Sequence, residues 1–268
     1  MKYAFCIPIY NTISGRLLPQ FLNLQDWSKQ LDGEIFTVVG RTHVDGRNWL
    51  CTDGGGFKNP NKLLDKCDYI VWIDADQQFN YQQLNKLLQC EEDFCAGWYI
   101  KDLSGQAMIA DWDEKDFKKQ GTMNFWKVNK ITAKKQPFEV DYCGFGFTKV
   151  STDILKQMEY PFFRQRMVRI GKYQENVSED ATFCLDVKKK FFSGNYEIYV
   201  HNGTKKIGLN PLKFINKIKK MGVGEIVINS IDYDGTMKGY DFQIIDQVRK
   251  ITTLPMTVLG GAGSLSDI

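Results

Sequence analysis

The chain has 268 residues, of which 43% are hydrophobic and 25% are charged, and its formal net charge is +3. This composition is typical of a globular protein with a full core, and the small net charge argues against a nucleic-acid-binding protein. No apolar run reaches the roughly 20 residues that cross a bilayer, and Pro8 interrupts the first apolar run too early for a signal peptide. We therefore predict a cytoplasmic protein and leave open a location at the inner face of the membrane.

The cysteines give a prediction about redox state. The seven cysteines are odd in number, are scattered along the chain and include no CxxC pair. Most of them lie inside apolar runs. This pattern predicts reduced, packed thiols rather than disulfides or a zinc site.

The first segments alternate between strand and helix patterns. Tyr3–Ile9 and Ile35–Gly40 have the composition of strands, and the apolar residues of Leu17–Leu31 recur at nearly helical spacing. A strand, a helix and a strand in this order begin a doubly wound α/β sheet, in which ligands bind at the loop after the first strand. That loop contains Tyr10 and Asn11.

The segment Tyr69–Asp76, YIVWIDAD, has the strongest pattern in the chain. Its run of β-branched and aromatic residues predicts a strand that is covered on both faces. Because side chains alternate along a strand, Asp74 and Asp76 are expected to point the same way. Two adjacent carboxylates at the end of a buried strand are costly unless a positive charge lies beside them, so we predict a divalent cation there.

The middle of the chain has weaker patterns. Phe94–Ile100 and Val140–Val150 are predicted as strands, and the weakly periodic stretch between them is predicted to leave the main sheet. Gly144 and Gly146 interrupt the second of these strands, as glycines do at a bulge or where a ligand approaches closely.

A helix is predicted from Ser178, a good N-cap, to Phe192, with Gly194 after its end. Glu179 and Asp180 occupy its first turn. Acidic residues at that position are favoured by the helix dipole alone, so their presence has a structural explanation as well as a functional one.

These motifs, in this order, resemble those of GT-A glycosyltransferases, and the resemblance covers about residues 1–205. It implies a Rossmann-like, mostly parallel sheet with helices on both faces. The DAD sequence resembles the family's DxD motif, SED at 178–180 its catalytic acidic motif, and GFGF at 144–147 its acceptor-side glycine segment. The residues that this resemblance assigns to the nucleotide-sugar are Pro8, Tyr10, Asn11, Arg47, Asn48 and Asp74.

The resemblance also implies roles for single residues. Asp74 and Asp76 would bind Mn²⁺ or Mg²⁺, which neutralises the diphosphate leaving group. Asp180, or alternatively Glu179, would act as the base for the acceptor hydroxyl. His201 would complete the metal site, although the family usually has its histidine slightly later in the chain.

The implied activity is transfer of a sugar from a nucleotide-diphosphate donor to a glycan or lipid-linked acceptor, as in polysaccharide biosynthesis. The alternative is a non-catalytic protein that binds a nucleotide or a glycan. The first reading requires turnover that depends on Asp76, whereas the second requires binding alone.

A second resemblance begins near residue 209. The sequences GVGEIVINSIDYDGTMKGYD and LPMTVLGGAGS resemble the cyclase subunit of imidazole glycerol phosphate synthase, whose relatives include amidotransferase-linked enzymes of sugar modification. In that family they form the sixth and seventh strands of a (β/α)₈ barrel. The resemblance implies strands at Glu225–Ser230 and Met256–Leu259. It assigns Asp232 and Asp234 to the catalytic end, and Gly260 and Gly261 to a phosphate-binding loop.

Two domains are therefore predicted, a GT-A domain at 1–208 and an incomplete barrel segment at 209–268. A (β/α)₈ barrel needs about 200 residues or more, so the segment alone cannot close a barrel. We expect no cyclase activity from it. The alternatives are an association surface, including self-association through its open strand edges, and a fusion with residual cyclase-type function.

Overall fold

A computed structural model describes residues 1–134, 137–170, 172–192 and 196–264. The chain forms two compact units, unit 1 at Met1–Val187 and unit 2 at Lys188–Ile268. Both units contain helices and strands, so the predicted α/β class is confirmed. The predicted domain division at residues 208 and 209 stays a prediction, and Gly194, the predicted helix stop, lies outside the described residues.

Unit 1 alternates strands and helices through its first half and adds short strands in its second half. Its elements are β1 (Tyr3–Ile9), α1 (Leu18–Gln30), β2 (Gly33–Val39), α2 (His43–Cys51), β3 (Tyr69–Ile73), α3 (Tyr81–Leu88), β4 (Phe94–Ala96), β5 (Gln106–Asp111), α4 (Glu114–Gln120), β6 (Asn124–Lys127), α5 (Val128–Thr132), β7 (Tyr142–Cys143), β8 (Phe147–Ser151), α6 (Thr152–Gln157), β9 (Arg166–Ile170), β10 (Tyr173–Val177) and α7 (Glu179–Val187).

The main sheet of unit 1 has the strand order β2-β1-β3-β8-β4. β1 pairs in parallel with β2 and β3, whereas β8 is antiparallel to both β3 and β4. Four strands therefore share one direction, as a mostly parallel sheet requires. β3 is central, and its residues Ile70, Val71, Trp72 and Ile73 are fully buried, as expected for a strand covered on both faces.

The predicted strand Val140–Val150 is two strands in the structure. β7 belongs to a three-stranded sheet of order β6-β5-β7, and β8 belongs to the main sheet. The chain changes sheets at Gly144–Gly146, where the sequence pattern already indicated an interruption. The stretch between β4 and β7 does leave the main sheet, but it forms ordered strands and helices there.

The cysteine prediction is wrong at one pair. Cys90 and Cys95 form a disulfide whose Cα atoms are 6.6 Å apart. Cys90 follows the end of α3 and Cys95 lies in β4, so the short connection between these elements brings the two thiols together. The other cysteines, Cys6, Cys51, Cys67, Cys143 and Cys184, are free thiols, as predicted.

Unit 2 begins with a π-helical turn at Lys188–Phe192, so the predicted helix that ends at Phe192 has its regular α-helical part only in α7. It then has a small hairpin of β11 (Tyr199–Val200) and β12 (Lys205–Lys206), followed by α8 (Pro211–Lys219), β13 (Ile226–Asn229), α9 (Phe242–Ile251) and β14 (Met256–Leu259).

β13 and β14 are parallel, with α9 between them in the chain, so the segment is a β-α-β unit. One face of this two-stranded sheet packs on α8 and α9 through a core of Leu212, Ile215, Ile226, Ile244 and Val248. The alternate positions Val227 and Leu259 are 59% and 48% exposed. Side chains alternate along strands, so these two residues lie on the sheet's other face.

Candidate functional site

Unit 1 has a buried ionic centre around Arg47. α2 carries Arg47, which is 2% exposed, into the region where β3 ends and α7 begins. Its guanidinium Nη2 donates to Asp74 Oδ1 at 2.9 Å, and its Nη1 donates to Glu179 Oε1 at 2.6 Å. The Arg47 cation therefore joins two other sequence-predicted residues, Asp74 and Glu179, that lie far apart in the chain.

The electrostatics of Arg47 favour its charged form. Burial alone would lower the pKa of Arg47, but Asp74, Glu179 and Asp180 raise it overall. A guanidinium is the usual partner for two carboxylates because its planar donors bond both at once. The positive charge that Asp74 requires at the end of β3 is thus supplied by the protein itself.

Asp180 lies beside this centre and has its own hydrogen bonds. Tyr142 donates its hydroxyl to Asp180 Oδ2 at 3.1 Å, and the Ala181 backbone N–H donates to Oδ1 at 3.0 Å. The Ser178 hydroxyl also donates to Oδ1. Burial and the neighbouring Asp180 charge raise the pKa of Tyr142, so Tyr142 stays a hydrogen-bond donor at neutral pH.

The positions of Asp74 and Asp76 in the structure differ from those that the sequence predicts for a cation site. β3 ends at Ile73 and Asp76 is an exposed residue of the following turn, so strand alternation does not extend to Asp76. Among the described residues no group of three or more His, Cys, Asp or Glu could hold a metal ion. His201 lies in a turn of unit 2 with a φ of 54°. Mn²⁺ or Mg²⁺ at Asp74, Asp76 and His201 stays a prediction.

Close packing against Tyr99 leaves no room for a side chain at either glycine of the GFGF segment. A Cβ on Gly144 would lie 2.2 Å from the Tyr99 hydroxyl, and a Cβ on Gly146 would lie 2.9 Å from the same ring. Gly146 also donates its backbone N–H to the Tyr99 hydroxyl at 3.1 Å. The close neighbour at these glycines is thus Tyr99, which the sequence analysis missed because its segment was predicted only as a strand.

The remaining predicted residues of unit 1 are divided between structural and exposed positions. Pro8 lies in β1 opposite Val38, whereas Tyr10 and Asn11 are exposed beyond the strand. Asn48 is buried, and its amide accepts from the Phe163 N–H at 3.0 Å and donates to the Phe163 carbonyl at 2.6 Å. Asn48 therefore fixes the backbone at Phe163, a structural role that the residues adjacent to Asn48 in the sequence did not indicate.

Unit 2 brings its predicted residues to one end of the β13–β14 sheet. Asp232 and Asp234 are exposed in the turn that follows β13, and Gly260 and Gly261 follow β14. Because the strands are parallel, both turns lie at the same edge. The strand ends themselves are paired there, since the Ser230 N–H just after β13 donates to the carbonyl of Leu259, the last residue of β14, at 3.1 Å.

The glycine turn after β14 has a backbone that requires glycine. Gly260 and Gly261 have φ values of 89° and 101°, in the left-handed region. A Cβ on Gly261 would lie 2.1 Å from the Gly239 carbonyl oxygen, and Gly239 donates its N–H to the Gly261 carbonyl at 2.8 Å. The turn is therefore held close to the end of the β13 loop.

Asp241 is a residue of this region that the sequence analysis missed. It is 5% exposed and caps α9 by accepting from the Ile244 N–H. It also accepts from the Tyr196 hydroxyl at 2.7 Å and from the Ser230 hydroxyl at 3.4 Å. An aspartate immediately before a helical apolar pattern is an N-cap signal, and that signal could have identified it.

Comparison with known proteins gives matches to one family. The family described as "Histidine biosynthesis protein" matches residues 162–268. A protein of Leptospira interrogans, provisionally named an imidazole glycerol phosphate synthase subunit HisF, is 46% identical over 91 residues, which are 34% of this chain and 36% of that protein.

Two further relatives carry the name of the same synthase. A Vibrio vulnificus protein, provisionally named subunit hisF3 of the same synthase, is 45% identical over 123 residues, which are 46% of this chain and 45% of that protein. The Streptomyces griseus subunit HisF is 42% identical over 122 residues, which are 46% of both chains. The chain thus spans less than half the length of these curated relatives.

These matches correct the main functional prediction. The C-terminal region is HisF-like, and the named relatives carry the name of a histidine-biosynthesis enzyme rather than a glycosyltransferase. The predicted glycosyltransferase activity is therefore wrong, as are the predicted nucleotide-diphosphate sugar and glycan or lipid-linked acceptor. The names of these relatives also count against the expectation that the C-terminal segment has no cyclase-type function. The strand-end carboxylates misled the prediction because the sequence could not reveal that Arg47 already neutralises Asp74.

Within the described residues, no helix has both the length and the apolar character that a membrane span requires. Nothing in these helices supports the predicted location at the inner face of a membrane.

Proposed function

We propose that unit 2 contributes to a cyclase-type active site of the kind found in imidazole glycerol phosphate synthase. The observation that carries this proposal is that the Asp232 turn and the Gly260–Gly261 turn follow two parallel paired strands, and that the loop after β13 bonds the glycine turn through the Gly239 N–H and the Gly261 carbonyl. Active sites of (β/α)₈ barrels lie at the edge where the strands end. The identities of 46% over 91 residues and 42% over 122 residues to relatives named HisF support the same function.

The two turns have different roles in this proposal. The turn at Gly260 and Gly261 is the candidate for binding a phosphate group through its backbone N–H groups. Asp232 supplies a carboxylate at the same edge and is the candidate for proton transfer during ring closure. The substrate class is a phosphorylated sugar derivative, with ammonia as the nitrogen source from an amidotransferase partner.

The exposed face of the β13–β14 sheet indicates that this segment needs further strands for the proposed activity. Val227 and Leu259 are positions that further strands would cover in a closed barrel. We therefore propose that turnover requires the strands present in the remaining length of the relatives. Self-association through the open strand edges of this segment remains the alternative.

For unit 1, the GT-A fold remains a proposal about topology alone. It is supported by four strands in one direction and the reversed strand β8 between β3 and β4. No activity is attached to it.

The test is a cyclase assay with ammonia as the nitrogen donor. The chain is assayed alone and mixed with a fragment of the Streptomyces griseus relative that spans the part of that protein outside the match. We expect imidazole glycerol phosphate in the mixture, and a loss of about 100-fold or more for Asp232→Asn, as for removal of an acid–base group. Asp246→Asn, an exposed change on α9, is the matched control. Absence of product in the mixture, or equal loss in both variants, would contradict the proposal.

A further inference from the structure

A cleft in unit 1 lies beside α2 and apart from the Arg47 ion pairs. Its volume is about 650 Å³, which falls in the range of small-molecule sites. Its walls are the N-terminal part of α2, the glycine turn after α2 and the segment 160–165. One residue of its lining, Asn48, belongs to the set that the resemblance assigned to a nucleotide-sugar, but its amide bonds the Phe163 backbone.

One wall of the cleft is aromatic. Trp49 is 36% exposed, and the guanidinium of Arg41 lies 5.4 Å from the centre of its ring. Gly54 has a φ of 74°, and a Cβ there would lie 3.1 Å from the Trp49 ring. The glycine turn therefore supports one side of the indole. Arg41 stacks near the ring, and a ligand ring could pack in the same cleft.

The opposite wall is rigid. Asn48 bonds both the N–H and the carbonyl of Phe163, which fixes the segment 160–165 against α2. The Phe163 ring packs against Phe183 with ring centres 4.8 Å apart, in the buried core. A wall held in this way is preorganised, so a ligand would not have to order it on binding.

The charge at the cleft is positive. Arg41 has no ion pair among the contacts of the described residues. Arg164 and Arg166 share a single carboxylate, that of Asp186, at 2.8 and 2.9 Å. Arg166 lies outside the cleft lining, so the charged side chains of the lining are the guanidinium groups of Arg41 and Arg164 and the single carboxylate of Asp45. The arginines therefore leave an excess of positive charge that suits an anion.

We propose that this cleft binds a small anion that carries an aromatic ring, with the ring packed against Trp49 and the anionic group bonded by Arg41 and Arg164. The combination of a flat apolar surface and guanidinium donors selects for both parts of such a ligand. Neither part alone uses the whole cleft.

The test is titration calorimetry of the full chain with phenyl phosphate as the probe, and with phenol and inorganic phosphate as its two halves. We expect saturable binding of phenyl phosphate at one site, and binding at least tenfold weaker for each half. Trp49→Ala and Arg41→Gln should each weaken binding of phenyl phosphate by tenfold or more.

Matched controls are available elsewhere in unit 1. Trp98, which is 42% exposed, and the exposed Arg16 lie outside the cleft, so Trp98→Ala and Arg16→Gln should leave the affinity within twofold of wild type. Circular dichroism checks that each variant is folded. If the controls weaken binding as much as the cleft variants do, or if no saturable binding occurs, the proposal is wrong.

Discussion

The two units assemble their candidate sites in opposite ways. In unit 1, one buried arginine joins carboxylates that lie 27 and 132 residues away in the chain. In unit 2, glycine backbone and neighbouring turns form the site within a single β-α-β unit. Removal of one charged partner is expected to destabilise the ionic centre of unit 1. Addition of a side chain is expected to destabilise the glycine turn of unit 2.

This difference explains which site the sequence could reveal. The glycine turns of unit 2 are local features, and their motif can be recognised without knowledge of the fold. The partners of Arg47 are long-range, and the same carboxylates therefore suggested a metal ion when they were considered alone.

The largest effect is expected from removal of the cation in unit 1. Arg47→Met would leave the partly buried carboxylates of Asp74 and Glu179 without their cation, which costs about 3–5 kcal/mol. Hydrogen exchange of β3 amides measures this loss, and β13 amides serve as the internal reference. Arg16→Met, at an exposed position, should change the free energy by less than about 0.5 kcal/mol. A loss of less than about 1 kcal/mol for Arg47→Met would show that the carboxylates are hydrated or paired otherwise.

The next effect concerns the small core of unit 2. Leu212 is 3% exposed against α9 and β13, and Leu212→Ala should destabilise unit 2 by about 2–3 kcal/mol. This is the low end for such a change because a small core lets neighbouring side chains collapse into the cavity. Exchange of β13 amides is the measurement. Leu209→Ala, at a residue that is 46% exposed, is the control and should have little effect.

A side chain added at the glycine turn should also destabilise unit 2. Gly261→Ala places a Cβ against the Gly239 carbonyl in a left-handed backbone conformation, which costs about 1–3 kcal/mol. Gly224→Ala is the matched control, since a Cβ there meets no atom within 4 Å. Hydrogen exchange of the α9 amides at increasing denaturant concentration measures the free energy of unfolding of each variant. Equal stability of the two variants would mean that the turn moves without cost.

The smallest effect is a dependence on alkaline pH in unit 1. Burial and Asp180 raise the pKa of Tyr142 above its unfolded value of about 10. The stabilisation is therefore complete below about pH 10 and is lost as the pH rises through the folded pKa. Tyr142→Phe should lower stability by about 1 kcal/mol at pH 7 and should reduce the alkaline loss. An unchanged alkaline slope in the variant would mean that another buried group, such as Cys6, dominates it.

Much of the fold of unit 1 could be predicted from local pattern. The apolar run of β3 and the helical spacing of α1 correspond to elements of the structure within one or two residues at their ends. The interruption at Gly144 and Gly146 was also visible. That the chain changes sheets there was not, because pairing partners are chosen among distant strands.

The sequence by itself determined the α/β class, the buried strand at Tyr69–Ile73 and the HisF-like motif with its glycine turn. These depend on periodicity, on residue type and on backbone freedom, which are properties of short segments. Only the tertiary structure decided that Arg47 pairs with both Asp74 and Glu179, that Tyr99 occupies the space beside Gly144, and that Cys90 bonds Cys95. Charge compensation and close packing depend on distances between segments, and the sequence does not contain those distances until the chain has folded.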